Sequence, residues 1–444
     1  MTCVAQLPAP WREPAEVLSA FADEPWALGL LTGGAGARWS YVARAPSATL
    51  THRPGDGGDP FAALRELLGP PTTAAEGPPF QGGVVGLAAY ELGDHVEPLG
   101  LPRQDAWPDL AAARYDAVLA FDHQSRAVLA VGRADDAETA RSRAGDALAW
   151  MAAAPLAPHS GVLAGPLQAG DPAAYEAAVA QVVARIRAGE IFQANIARAW
   201  TGTLTAGARP FDLFARLLEE SAAPFAAYLR LPGLALVSNS PERFLQVRDG
   251  AAQTKPIKGT RPRGADPASD AALAAELLAS DKDRAENLMI VDLMRNDLAR
   301  VCAPGSVKVP SLWALESFAN VHHLVSTVTG RLSKGRDALD LLSAAFPPGS
   351  ITGAPKVQAM KVIAELETPR GPYCGSLFWA GADGGFDSSV LIRTAACVET
   401  PDGWRVEARA GAGVVEGSDP RAERLETEAK IAALAKALTE EPCP

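Results

Sequence analysis

Cysteine is scarce in this 444-residue chain: Cys3, Cys302, Cys374, Cys397 and Cys443 are five in all, scattered, with no CxxC spacing. An odd number of dispersed thiols excludes a disulfide framework and a cysteine-based zinc site, and reads as a reduced, cytoplasmic protein. Basic residues are outnumbered, 41 Lys and Arg against 52 Asp and Glu, for a formal net charge of −11. No basic run offsets this, so no nucleic acid partner is expected, and an anionic substrate would have to meet local cations. No apolar run approaches the roughly 18 residues of a membrane span, and the N-terminus lacks a basic segment followed by an apolar core. Neither membrane insertion nor a secretory signal is expected.

What is present is the composition of an ordinary globular protein, 48% hydrophobic and 21% charged. Residues 1–155 hold short apolar runs between Gly/Pro clusters, including GGVVGLAAYEL (82–92) and YDAVLAFDH (115–123), and close on an Ala-rich helical stretch. Residues 156–170 are rich in Pro and Gly and read as a linker or crossover. Residues 171–440 form the second region. Asp171 as N-cap, Pro172 at the first position, the stripe Val179, Val182, Val183, Ile186 and the stop at Gly189 predict a helix. IFQANIARAW (191–200) suits a strand. LALVSNSPERFLQV runs into the turn signal Asp249-Gly250 and returns as AAQTKPIKGT, a hairpin that would bring Glu242 near Lys258. Pro256 suggests a bulge or an edge there. Helical pattern follows over 266–301, 356–366 and 422–438. The order of elements is mixed α and β, without regular βαβ alternation.

Two carboxylate pairs stand out. Asp283 and Glu286, and Glu423 and Glu426, are each three residues apart on expected helices, so each pair projects from one face. Either pair alone is more often a solvated face; four converging carboxylates would need a cation, and Mg2+ fits an all-oxygen set. Glu242 with Lys258 is a structural salt bridge in the plainer reading. In the sharper one, burial raises the Glu pKa and lowers the Lys pKa, making a general acid and a nucleophile. Arg393, Lys430 and the Gly-rich AGAGVVEG (410–417) are candidate anion contacts, the last as a tight turn with free N–H groups. PPGSITGAPK (347–356) is a loop entering a helix, but lacks the GK[ST] ending of a phosphate loop. His323, on an expected strand, is by itself more often a core or surface residue.

Taken together, GEIFQANIA, NSPERF, KPIKGTRPRG, DRAENLMIVDLMRNDL, VHHLVSTVTG, GSITGAPK, RGPYCGS and GAGVVEGSDPRAERLETEAK closely resemble the chorismate-utilising enzymes. This family contains component I of aminodeoxychorismate and anthranilate synthases, with isochorismate and salicylate synthases as relatives. The resemblance implies an α/β fold of two large, mostly antiparallel sheets packed together, with helices outside. It implies chorismate as substrate and Mg2+ as cofactor. By position, Glu286 and Glu426 match direct magnesium ligands, and Asp283 and Glu423 match residues holding magnesium-bound water. Glu242 matches the general acid. His323, grouped with Lys258 and Glu242 as catalytic, lines the ring with Thr352. Tyr373 and Arg393 match contacts to the enolpyruvyl carboxylate, and Gly411, Gly413 and Lys430 contacts near the ring carboxylate.

Position 258 separates the branches. Lys258 resembles the nucleophile of the branch that aminates chorismate at C4 on the way to 4-aminobenzoate and folate; the anthranilate branch carries a small residue there. Gln193 stands where water-activating relatives carry lysine, so water is not expected as nucleophile. LLTGG (30–34) departs from the Leu-Leu-Glu-Ser signature of tryptophan-inhibited enzymes. Neither Cys302 nor Cys374 lies in a G-x-C-x-G elbow and no histidine follows His323, so ammonia is expected from a separate glutaminase subunit or from solution. No lyase segment follows the closing helix, and the product is expected to remain the aminated diacid. The alternatives are anthranilate synthase component I and a non-catalytic homologue that binds a partner.

Overall fold

The computed structural model describes residues 2–34, 37–157, 159, 161–318 and 321–439; Cys443 and the expected end of the second region at 440 lie outside them. Two large antiparallel sheets pack together with helices outside, among the described residues twelve strands in one and ten in the other. Both draw on both halves of the chain. In the larger, the early strand Leu28–Leu31 pairs with Phe225–Leu231, and in the smaller, Gly83–Ala88 pairs with Ser376–Ala380. Their inner faces are apolar at alternate positions, which is why Leu87, Tyr115, Leu236 and Leu377 share one buried cluster. No helix among the described residues is long and apolar enough to cross a membrane.

The helix Pro172–Arg187 forms as its signals dictate: Asp171 accepts from the Ala173 N–H, Val179, Val182 and Val183 are buried, and Gly189 has φ +79°. The helix Lys356–Leu366 is also found where expected. The stretch 266–301 is two helices, Pro267–Ala279 and Asp281–Ala299, because Ser280 leaves helical geometry to cap the second through Asp283 N.

The expected hairpin is corrected in two places. Asp249 and Gly250 do make the turn, with φ +50° and +71°, and Arg248 pairs with Ala251. The run before it, however, is two strands in different sheets: Leu234–Ser240 in the larger and Arg243–Arg248 in the smaller. Pro241, which has no N–H to offer a ladder, stands at the break. The returning strand also leaves its partner, and Ile257–Pro262 pairs instead with Val321–Arg331. A second correction concerns 410–417. Gly411 and Gly413 are not in a turn; they lie inside the strand Gly403–Val414, opposite Ala197 and Asn195 of the strand Gln193–Thr203.

Candidate functional site

Lys258 owes its position to a bulge. Between Ile257, opposite Val325, and Thr260, opposite His323, its strand carries one residue more than its partner. Gly259 takes φ +83° there, and the extra residue turns the lysine out of the ladder. The amine ends against the Gly403–Val414 strand, where a Cβ at Gly413 would stand 3.0 Å from Lys258 Nζ and 3.4 Å from Gln193 Cδ. This is why glycine lies inside that strand. Burial lowers the Lys258 pKa, while Glu286, Glu242 and Glu426 pull it up and Lys430 pushes it down.

Glu242 follows Pro241 at the crossover between the sheets, held by its carbonyl accepting from Val390 N. Its side chain is buried, with burial pushing the carboxyl up to about 7 against the opposing hydrogen bond from Ser350 Oγ, 2.7 Å away. Proximity of Glu242 and Lys258 therefore arises from a crossover and a bulge.

The helices Asp281–Ala299 and Pro420–Thr439 bring their acidic pairs to the same place. Burial raises the Glu286 pKa, with Asp283 and Glu426 adding to the rise, and it raises Glu423 as well. Burial also pushes Glu426 up, but Lys430, Lys258 and Lys282 together outweigh it and the net shift is downward. Each carboxylate meets a local partner: Asp283 with Arg261 at 3.2 Å, Glu286 with Lys282 at 3.9 Å, Glu423 with Ser418 at 2.6 Å and Glu426 with Lys430 at 2.6 Å. Their oxygens do not close into one tight ligand set. The donors are all hard oxygens and their negative charge is partly buried, so the set fits magnesium. Lys430 also donates to Gly411 O at 2.8 Å.

Four further expected contacts are His323, Arg393, Tyr373 and Thr352. His323 is buried, which with the nearby Arg393 charge lowers its pKa to about 4, and its Nδ1 lies 2.9 Å from Thr260 Oγ1. Arg393, at φ +53° between two strands, has its pKa lowered by burial and raised by Tyr373. A Cβ at Gly411 would stand 2.9 Å from both Tyr373 Oη and Asn195 Nδ2. Thr352 is wholly buried and donates its hydroxyl to Pro348 O at 2.8 Å. Both amide atoms of buried Gln193, and Asn195 Nδ2, meet no partner among the described residues, which leaves polar groups for a ligand.

Sequence reasoning missed Ser350 and Asn195. Both stood in quoted motifs, but hydroxyl and amide side chains have no characteristic spacing to single them out. A cavity of about 490 Å³ lies between the sheets, lined by Leu30, Thr32, Trp39, Arg243 and Asp387 among others.

Residues 29–436 match the family of chorismate binding enzymes. The chain is 40% identical to aminodeoxychorismate synthase component 1 of Klebsiella aerogenes, over 97% of this chain and 98% of that one. It is 41% identical to anthranilate synthase component 1 of Streptomyces coelicolor, over 92% and 82%. In structure it resembles anthranilate synthase component I of Streptococcus pneumoniae, with TM-score 0.79, 28% identity, and coverage of 91% of this chain and 94% of that one.

Proposed function

The chain belongs to the chorismate binding enzyme family, and from that premise we infer that it aminates chorismate at C4 with ammonia, giving 4-amino-4-deoxychorismate. One observation carries the choice of this reaction: a Lys258 amine with lowered proton affinity stands beside a Glu242 carboxyl raised to about 7. A nucleophile must be unprotonated and a general acid protonated, and burial moves each in the required direction.

In this reading neutral Lys258 Nζ bonds to ring carbon C2, both conjugated ring double bonds shift by one position, and the C4–O bond breaks. Glu242 supplies the proton with which the hydroxyl leaves as water. Ammonia then bonds to C4, both double bonds return to their first positions, and the C2–N bond to Lys258 breaks; Glu242 takes up the surplus proton. His323, largely neutral above about pH 4, and Thr352 line the ring. Tyr373 and Arg393 hold the enolpyruvyl carboxylate, and Gly411, Gly413 and Lys430 flank the ring carboxylate. Glu286 and Glu426, supported by Asp283 and Glu423, would hold Mg2+, whose charge offsets the ring carboxylate. Residues 171–440 supply these side chains, and 1–155 complete both sheets. Relatives named component 1 support a second component, and we assign it the release of ammonia from glutamine.

The test is turnover of chorismate with Mg2+ and ammonium, comparing wild type with Lys258→Ala. Aminated, unaromatised product from wild type and its loss in the variant are expected. Direct release of anthranilate by wild type would establish the anthranilate reading instead.

A further inference from the structure

Away from Lys258, a second group of side chains has the make-up of a metal centre. His52 ends the strand Ala48–His52 at one edge of the ten-stranded sheet and pairs with Leu110, which sets it beside Asp109. The residue is 5% exposed, and neither ring nitrogen meets a hydrogen-bonding partner among the described residues. An imidazole has at least one N–H to donate and, when neutral, one lone pair to offer, so leaving both nitrogens bare in the interior is costly unless something else meets them.

His95, from the short helix Gly93–Val96, packs edge-on against His52 with ring centroids 4.9 Å apart. Its Nε2 lies 2.9 Å from Asp109 Oδ2. One donor atom from each of His52, His95 and Asp109 falls within 4.8 Å of the other two, and among the described residues no other trio of His, Cys, Asp and Glu does so. Asp109 is buried, and Arg103 Nε donates to its Oδ1 at 3.0 Å. A metal-binding carboxylate is commonly oriented by such an outer hydrogen bond. The guanidinium charge opposes a cation, but Arg103 is itself paired with Asp94 at 2.9 Å.

We propose that His52, His95 and Asp109 bind a divalent transition metal of zinc or cobalt type, with water in the position that faces solvent beside exposed His95. Two imidazoles and a carboxylate suit these ions, whereas magnesium takes oxygen donors. The site would fasten an edge strand to the segment that carries Glu91. That carboxylate accepts from the backbone N–H groups of Arg370 and Gly371, three and two residues before Tyr373, so the metal braces the scaffold behind one wall of the catalytic site.

The test is titration of the magnesium-saturated full-length protein with Co2+ and with Zn2+, comparing wild type with His52→Gln/His95→Gln. Wild type is expected to bind one equivalent more than the variant and to show visible Co2+ bands of a low-coordinate site that the variant lacks. Equal stoichiometry and equal spectra would overturn the proposal. Should the double variant not fold, His95→Gln alone, at an exposed position, is expected to lose the same equivalent, and retention of that equivalent would overturn it equally.

Discussion

Ser350 donates its hydroxyl to Glu242 Oε1 at 2.7 Å, in the interior, and this bond opposes the rise that burial imposes on the Glu242 carboxyl. Ser350→Ala removes the opposing bond, so the pKa should climb further above about 7. A general acid works only while protonated, so the rate of hydroxyl loss falls as pH rises through that pKa, and the variant's falling limb should shift to higher pH. Single-turnover consumption of chorismate against pH, without ammonia, measures this. An unmoved limb would remove Glu242 from the acid role.

Gly413→Ala and Gly411→Ala should fail for different reasons. The added methyl at 413 meets the tip of Lys258 at 3.0 Å, a flexible end that can swing away. Melting temperature should hardly change, while kcat falls by at least about tenfold, or ~1.4 kcal/mol. At 411 the methyl meets the Ile196 carbonyl at 2.9 Å, which is backbone in a paired strand. That variant should lose about 1–3 kcal/mol of stability, read by denaturation.

Magnesium binding should weaken on acidification sooner than ordinary carboxylates would dictate. Burial raises the pKa of both Glu286 and Glu423, so protons compete with the metal above the usual carboxylate range. Titration calorimetry at several pH values checks this. Chelation should abolish turnover and added Mg2+ restore it, and Glu286→Gln should cost at least about tenfold in affinity.

Lys356 and Asp297 form an ion pair at 2.7 Å, with side chains 12% and 6% exposed. Lys356→Met strands a buried carboxylate and should cost about 3–5 kcal/mol. Burial already raises the Asp297 pKa, so losing the lysine raises it further. The deficit should therefore shrink as pH falls and the carboxyl takes up a proton. Urea midpoints at pH 5 and pH 8 test the sign; a deficit that grows on acidification would refute it.

Much of the candidate site was legible in the sequence. Caps and periodicity act within a few residues, so the helices after Asp171 and Pro355 could be placed from neighbours alone, and the i,i+3 spacing of Asp283/Glu286 and Glu423/Glu426 is read directly from two other helices, Asp281–Ala299 and Pro420–Thr439. The Asp249-Gly250 turn was equally local. Misreadings fell where distant strands compete for a partner. Pairing Ile257–Pro262 with Arg243–Arg248 was the short-range choice, and Val321–Arg331, over sixty residues on, displaced it.

The glycines at 411 and 413 show the same divide. Glycine-rich composition suggests a turn because glycine tolerates turns, yet its other use is to let something approach closely. Here the approaching groups are Lys258, Gln193 and Asn195. The chain alone settled which chemical groups are available and which helices present them, since those are matters of residue type and short-range geometry. Folding settled where Glu242 crosses between sheets, how a bulge aims Lys258 and how His52 comes to face His95, because each requires segments far apart in the chain to share one interior.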